Sequence, residues 1–108
     1  MDYALARPRA AEPGAVFNYN TGASQVLSAV VGLRGGMPAA EFARRELFDR
    51  IGIGRVEWPA DPNGVSTGEY GIRMTMRHAA RFGYLFLNNG AWDGRQVVSS
   101  GWVEELTC

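Results

Sequence analysis

A tyrosine just ahead of a helix is the first place in this chain where chemistry could begin. The run Phe17-Asn18-Tyr19-Asn20-Thr21-Gly22 follows the helix-breaking Pro13-Gly14 and leads into Ala23-Ser24-Gln25-Val26-Leu27. A free phenol, with a pKa of about 10, is a poor base at neutral pH. It becomes a useful one where a cation or a helix amino terminus holds its phenolate form. Tyr19 therefore reads either as a general base or proton relay at the mouth of that helix, or as an aromatic anchor tying a loop to the core. Thr21 also has two uses. Its hydroxyl can hydrogen-bond a substrate carbonyl, or it can cap the helix that starts there.

The other reactive side chains are few. His78 is the only histidine and Cys108 the only cysteine. With no second histidine or cysteine near His78, no metal site is expected, no internal disulfide can form, and no cofactor is implied. His78 adjoins Arg77 and Arg81 along one helix stripe, which predicts a solvated imidazole. Ser24, Ser28 and Ser66 are available for a Ser–His–Asp triad, but nothing places them on a nucleophile elbow. All eleven basic residues are arginine, so the chain has no lysine at all.

These residues must be held by something. At 108 residues, 46% hydrophobic and 20% charged, the composition is that of one ordinary globular domain. The net charge is zero, and the arginines are scattered, which argues against nucleic acid or an anionic membrane as partner. No run is long enough to span a membrane, and Met1-Asp2-Tyr3-Ala4 lacks a signal-peptide pattern. A soluble domain is expected, its compartment left open.

Hydrophobic spacing predicts four helices. Residues 1–16 read as irregular, broken by Pro8 and Pro13-Gly14. The first helix covers 21–34, capped by Asn20 or Thr21, with Ala23, Val26, Leu27, Val30 and Val31 forming one apolar face. Gly35-Gly36 ends it. A second helix covers 38–51, with Ala40, Ala43, Leu47 and Ile51 inward and Glu41–Arg45 and Glu46–Arg50 paired on the wet side. Gly52 stops it. Residues 54–71, rich in proline and glycine, read as a long loop with a short strand at 56–58; loops of that length are more often functional than idle. A third helix, 75–89, starts at Thr75 and is apolar on most sides, which predicts a central core position. Asp93-Gly94 marks a turn, and a last helix covers 99–106. Trp58, Trp92 and Trp102, with Phe42, Phe48, Phe82 and Phe86, read as core.

Several runs occur in a recognisable order. They are the Tyr19 segment; Glu46-Leu47-Phe48, Ile51-Gly52-Ile53 and Val56-Glu57-Trp58 with Asp61 and Gly64; Gly71-Ile72-Arg73-Met74-Thr75 with Ala80-Arg81-Phe82-Gly83-Tyr84-Leu85; and the stretch from Gly90 to Ser99 with Trp102-Val103. Together, from about Tyr3 to Thr107, they resemble serine hydrolases of the class C β-lactamase, esterase and 6-aminohexanoate-dimer hydrolase family, related to penicillin-binding proteins. His78, where an aspartate is common, and Tyr70, where a second glycine often lies, depart from the pattern. The resemblance implies a mainly α fold, the helical lobe of the β-lactamase/transpeptidase-like fold without its α/β lobe, and a position in the middle of such an enzyme.

It implies further that Tyr19 is the general base of the parent enzyme and Thr21 a substrate contact. Trp58 and Tyr70 would border the cleft for a small ester or amide. Threonine at position 21, where class C β-lactamases have asparagine, points away from β-lactamase activity. The family's Ser-x-x-Lys nucleophile cannot occur in a sequence without lysine, so this chain alone is expected to be inactive. A second possibility is a stand-alone, non-catalytic helical module that covers its exposed face by self-association, as a homo-oligomer.

Overall fold

The computed structural model describes residues 1–107. It is mostly helical: α1 (Asp2–Leu5), α2 (Thr21–Gly35), α3 (Ala39–Ala43), α4 (Met76–Leu87) and α5 (Ser100–Thr107), with a two-stranded ribbon of β1 (Ala91–Trp92) and β2 (Arg95–Gln96). The chain divides into two compact units. One comprises Met1–Ala39 and Trp58–Gly71; the other comprises Ala40–Glu57 and the chain from Ile72 onward. No helix among the described residues is long and apolar enough to cross a membrane.

In the first unit α2 is fixed at both ends by local chemistry. Asn20, in an extended conformation, accepts a hydrogen bond on Oδ1 from the Ala23 N–H at 3.0 Å, and Gly36 leaves the helix in the left-handed region at φ 68°. Residues 1–16 are not wholly irregular: Asp2–Leu5 forms one helical turn that packs on α2. The expected apolar face of α2 is not the buried one. Leu27 is 64% exposed, and Val30 and Val31 are exposed too, while the residue α2 buries is Ser28. The reason is a partner that helical periodicity cannot reveal. Residues 58–71 fold against the Ser24–Gln25–Ser28 side and offer it backbone polar groups.

That loop is an ordered ribbon. Thr67 N–H donates to the Pro59 carbonyl at 2.9 Å and Asp61 N–H to the Val65 carbonyl at 2.8 Å, closed by a turn in which Gly64 N–H reaches the Asp61 carbonyl. The Asp61 carboxylate braces the turn by accepting from the Asn63 and Val65 amides at 2.9 and 3.0 Å.

The second unit holds the apolar core: Phe48, Ile51, Ile53, Leu85 and Val103 are all buried. The predicted second helix is helical from Ala39 to Ile51, but α3 passes into a π-helical turn at Arg44–Phe48 and a 3-10 turn at Asp49–Ile51. Glu46 pairs with Arg50 at 2.5 Å as expected, and Glu41 pairs with Arg44, three residues on. Instead of a strand at 56–58 there is a single antiparallel bridge between Glu57 and Arg73.

Thr75 caps α4 by accepting from the His78 N–H at 3.1 Å. This helix is less central than its composition predicts. Leu85 alone is buried, while Met76 and Leu87 are exposed and Phe82 is partly so. Its aromatic residues meet sideways, Phe82 with Phe86 at 5.1 Å and Tyr84 edge-on to Trp92 at 5.8 Å. Trp102 and Phe42 are likewise exposed rather than core, and Trp58, Trp92 and Phe86 are half-buried. His78 is not freely solvated either: it is half-buried, and its Nδ1 is shielded from solvent without a hydrogen bond among the described residues. Arg81 reaches the Ile51 carbonyl at 3.2 Å and lies over the Trp92 ring at 5.5 Å. Asp93 and Gly94, both at positive φ, make the tight turn of the β1–β2 ribbon.

Candidate functional site

Tyr19 stands where the extended entry to α2 meets the helix. Its side chain is 79% exposed, and no group among the described residues hydrogen-bonds its hydroxyl. It is therefore not an anchor to the core. The first turn of α2 carries no acidic side chain, so the positive end of the helix dipole is not neutralised by the helix itself. The capping duty falls to Asn20, which leaves the Thr21 hydroxyl free of that role.

Thr21 lines a hollow of about 730 Å³ together with Tyr3, Arg7, Asn20, Val26 and Glu69. The Arg7 guanidinium lies over the Tyr3 ring at 4.9 Å. Thr21 and Glu69 thus share one recess, while Tyr19 is not among the residues lining it.

Trp58 and Tyr70 are brought together through Thr67. The indole Nε1 of Trp58 donates to the Thr67 carbonyl at 2.7 Å, and the Thr67 hydroxyl donates to the Tyr70 carbonyl at 2.7 Å. The Trp58 N–H is thereby committed to the loop, and the ring is half-buried. The Tyr70 side chain is 67% exposed.

The sequence does not point to Gln25 and Gly68, and offers Ser28 and Ser66 only as serines for a triad, yet these residues hold the arrangement. Ser28 Oγ donates to the Ser66 carbonyl at 2.5 Å, and Gln25 Oε1 accepts from the Gly68 N–H at 2.8 Å. Gly68 lies so close to α2 that a Cβ there would collide with the Ser24 carbonyl oxygen. A signal did exist: Ser24, Gln25 and Ser28 break an otherwise apolar helix along one side.

No family model and no curated protein matches the sequence. Among solved structures it resembles one titled "Putative 6-aminohexanoate-dimer hydrolase from Bacillus anthracis", with a TM-score of 0.86 and 30% identity over 97% of this chain. The chain matches part of a β-lactamase-like hydrolase. It spans 27% of the length of that solved chain. The resemblance read from the Tyr19 segment and the runs after it is thus matched in three dimensions over nearly the whole chain, and the mainly helical fold agrees with it.

Proposed function

We propose that these residues supply the tyrosine-bearing side of the active site of a serine hydrolase that cleaves small esters or amides through an acyl-enzyme. The observation that carries the reading is the exposed Tyr19 at the start of an Asn20-capped helix, in a chain resembling such a hydrolase. The nucleophile belongs to a Ser-x-x-Lys pair, which these residues do not contain. In the proposed cycle Tyr19 accepts the serine proton as serine Oγ bonds to the substrate carbonyl carbon. The alcohol or amine then leaves with a proton, and water releases the acyl group. In this reading Thr21 hydrogen-bonds the substrate carbonyl or its neighbouring chain, and Trp58 and Tyr70 border the substrate.

The test has two arms. The 108-residue chain alone is expected to leave a chromogenic cephalosporin and a p-nitrophenyl ester unhydrolysed. Replacing the matching stretch of the Bacillus anthracis protein with this chain is expected to give a hybrid that turns over the ester. There, Tyr19→Phe should lower kcat by about 100-fold or more, the usual scale of a general base. A hybrid equally active with phenylalanine at position 19 would remove the proposed role.

A second reading is favoured by the exposed apolar row on α2, Leu27, Val30, Val31 and Leu33. In it the chain is a non-catalytic helical module that covers this row with a second copy of itself. Sedimentation at micromolar concentrations distinguishes the two, since a monomer would dispose of the self-associating module.

A further inference from the structure

The side chain that grips both arms of the 58–71 ribbon is one for which the proposed chemistry has no use. Gln25 lies one turn into α2. Its Oε1 accepts from the Gly68 N–H at 2.8 Å, and its Nε2 donates to Asp61 Oδ2 over a longer 3.4 Å. Asp61 is the residue that organises the ribbon's turn, through Oδ1 and the Asn63 and Val65 amides. Gly68 lies against the helix, where a Cβ would meet the Ser24 carbonyl oxygen. One carboxamide therefore ties the turn and the returning arm to the same helix. Ser28, on the next turn, adds its bond to the Ser66 carbonyl.

The residues on either side of Gly68 give the clamp its meaning. Glu69 enters the hollow shared with Asn20 and Thr21, and Tyr70 comes next. Thr67, immediately before, holds both the Trp58 indole and the Tyr70 carbonyl. We infer that Gln25 is a positioning residue: by holding Asp61 and Gly68 at once, it fixes the 58–71 ribbon on α2 and sets where Glu69 and Tyr70 stand beside the helix start that follows Tyr19. The catalytic meaning of this role rests on the function proposed above; its structural half does not.

The chemistry demands a carboxamide. Gly68 needs an acceptor and the Asp61 carboxylate a donor, and a carboxamide offers both on one planar, uncharged group at any pH. Glutamate keeps the acceptor but sets a second negative charge beside Asp61, until protonation restores an O–H donor. Alanine removes both bonds.

The test measures protection of the Gly68 amide from hydrogen exchange, by NMR on the full 108-residue chain, with helical circular dichroism as the control for folding. Gln25→Ala is expected to lower Gly68 protection by about tenfold, the scale of one to two lost hydrogen bonds. Gln25→Glu should lose protection at pH 7 and regain it on acidification, as the neighbouring Asp61 carboxylate favours protonation of the introduced carboxyl and an O–H donor returns. Unchanged protection in a folded Gln25→Ala overturns the inference. If that variant loses its helical signal, Gln25→Glu decides instead, and no recovery on acidification overturns the inference. In the hybrid enzyme Gln25→Ala should raise KM several-fold with kcat held, whereas a fall in kcat at constant KM would contradict positioning. A hybrid indifferent to Tyr19→Phe would defeat the functional reading while leaving the Gly68 result standing.

Discussion

The two units bury opposite kinds of side chain. Every buried large apolar residue among those described, from Phe48 and Ile51 to Leu85 and Val103, belongs to the second unit. The buried polar residues, Ser28, Ser66 and Thr67, all belong to the first, where the only buried apolar side chain among the described residues is the small Ala39. Apolar burial gives stability without direction. Hydrogen bonds between buried groups contribute less each, but they specify geometry and are costly to leave unmade. The second unit is built as a stable body and the first as a jig, and the candidate site residues Tyr19, Thr21, Trp58 and Tyr70 all lie in the jig.

Substitutions in each unit should separate these roles. The largest effect is expected from Leu85→Ala in the apolar unit, about 2–5 kcal/mol of stability, the range for emptying a buried leucine site. It should be seen as a lower Tm with little change in the Trp58 environment before unfolding. Next comes Gly68→Ala. The added Cβ meets the Ser24 carbonyl oxygen, so the ribbon must lift from α2 at a cost of about 1–3 kcal/mol. Red-shifted tryptophan emission should accompany it. A Gly68→Ala protein as stable as the parent, with unchanged emission, would break the contrast between body and jig.

The smallest effect is expected on the surface of the second unit. The hydrogen bond from Arg44 holds the Glu41 carboxyl below its ordinary value of 4.5, opposed by slight desolvation. A depressed carboxylate contributes stability at neutral pH and loses it as pH falls through the folded-state pKa, here below 4.5. Both side chains are open to solvent, so Arg44→Gln should leave Tm at pH 7 nearly unchanged and only flatten its acid side, an effect erased by high salt.

What the sequence made legible was local. Asn20 and Thr75 as caps, the glycines closing α2 and the second helical stretch, and the Asp93-Gly94 turn each depend on a few neighbouring residues, and each stands where the pattern put it. The helices fall within a few residues of their expected bounds. The faces were read less well, because burial is decided by partners distant in sequence. Ser28 is buried against Ser66, 38 residues away, and Gln25 is bonded to Gly68, 43 away. Periodicity groups Ala23, Val26, Leu27, Val30 and Val31 as the apolar face of α2, since it weighs apolarity alone. The same bias made α4 central, though Leu85 alone is enclosed. For the site, the motif around Tyr19 was visible, whereas the scaffold of polar bonds to the ribbon was not. The one-turn α1 carries too little periodic signal to stand out in the sequence.

The order in which the chain visits its two units has a consequence for how it can be made and cut. The first unit takes residues 1–39, yields the chain to the second, and reclaims it for 58–71. During synthesis, α2 would therefore wait with Gln25 and Ser28 unanswered until the ribbon is made some twenty residues after it ends, since such non-local contacts form only once the intervening chain exists. A single cut between 40 and 57 would sever a segment of one unit and unlink the two segments of the other. Neither unit is a contiguous peptide, so each requires the chain that threads through the other.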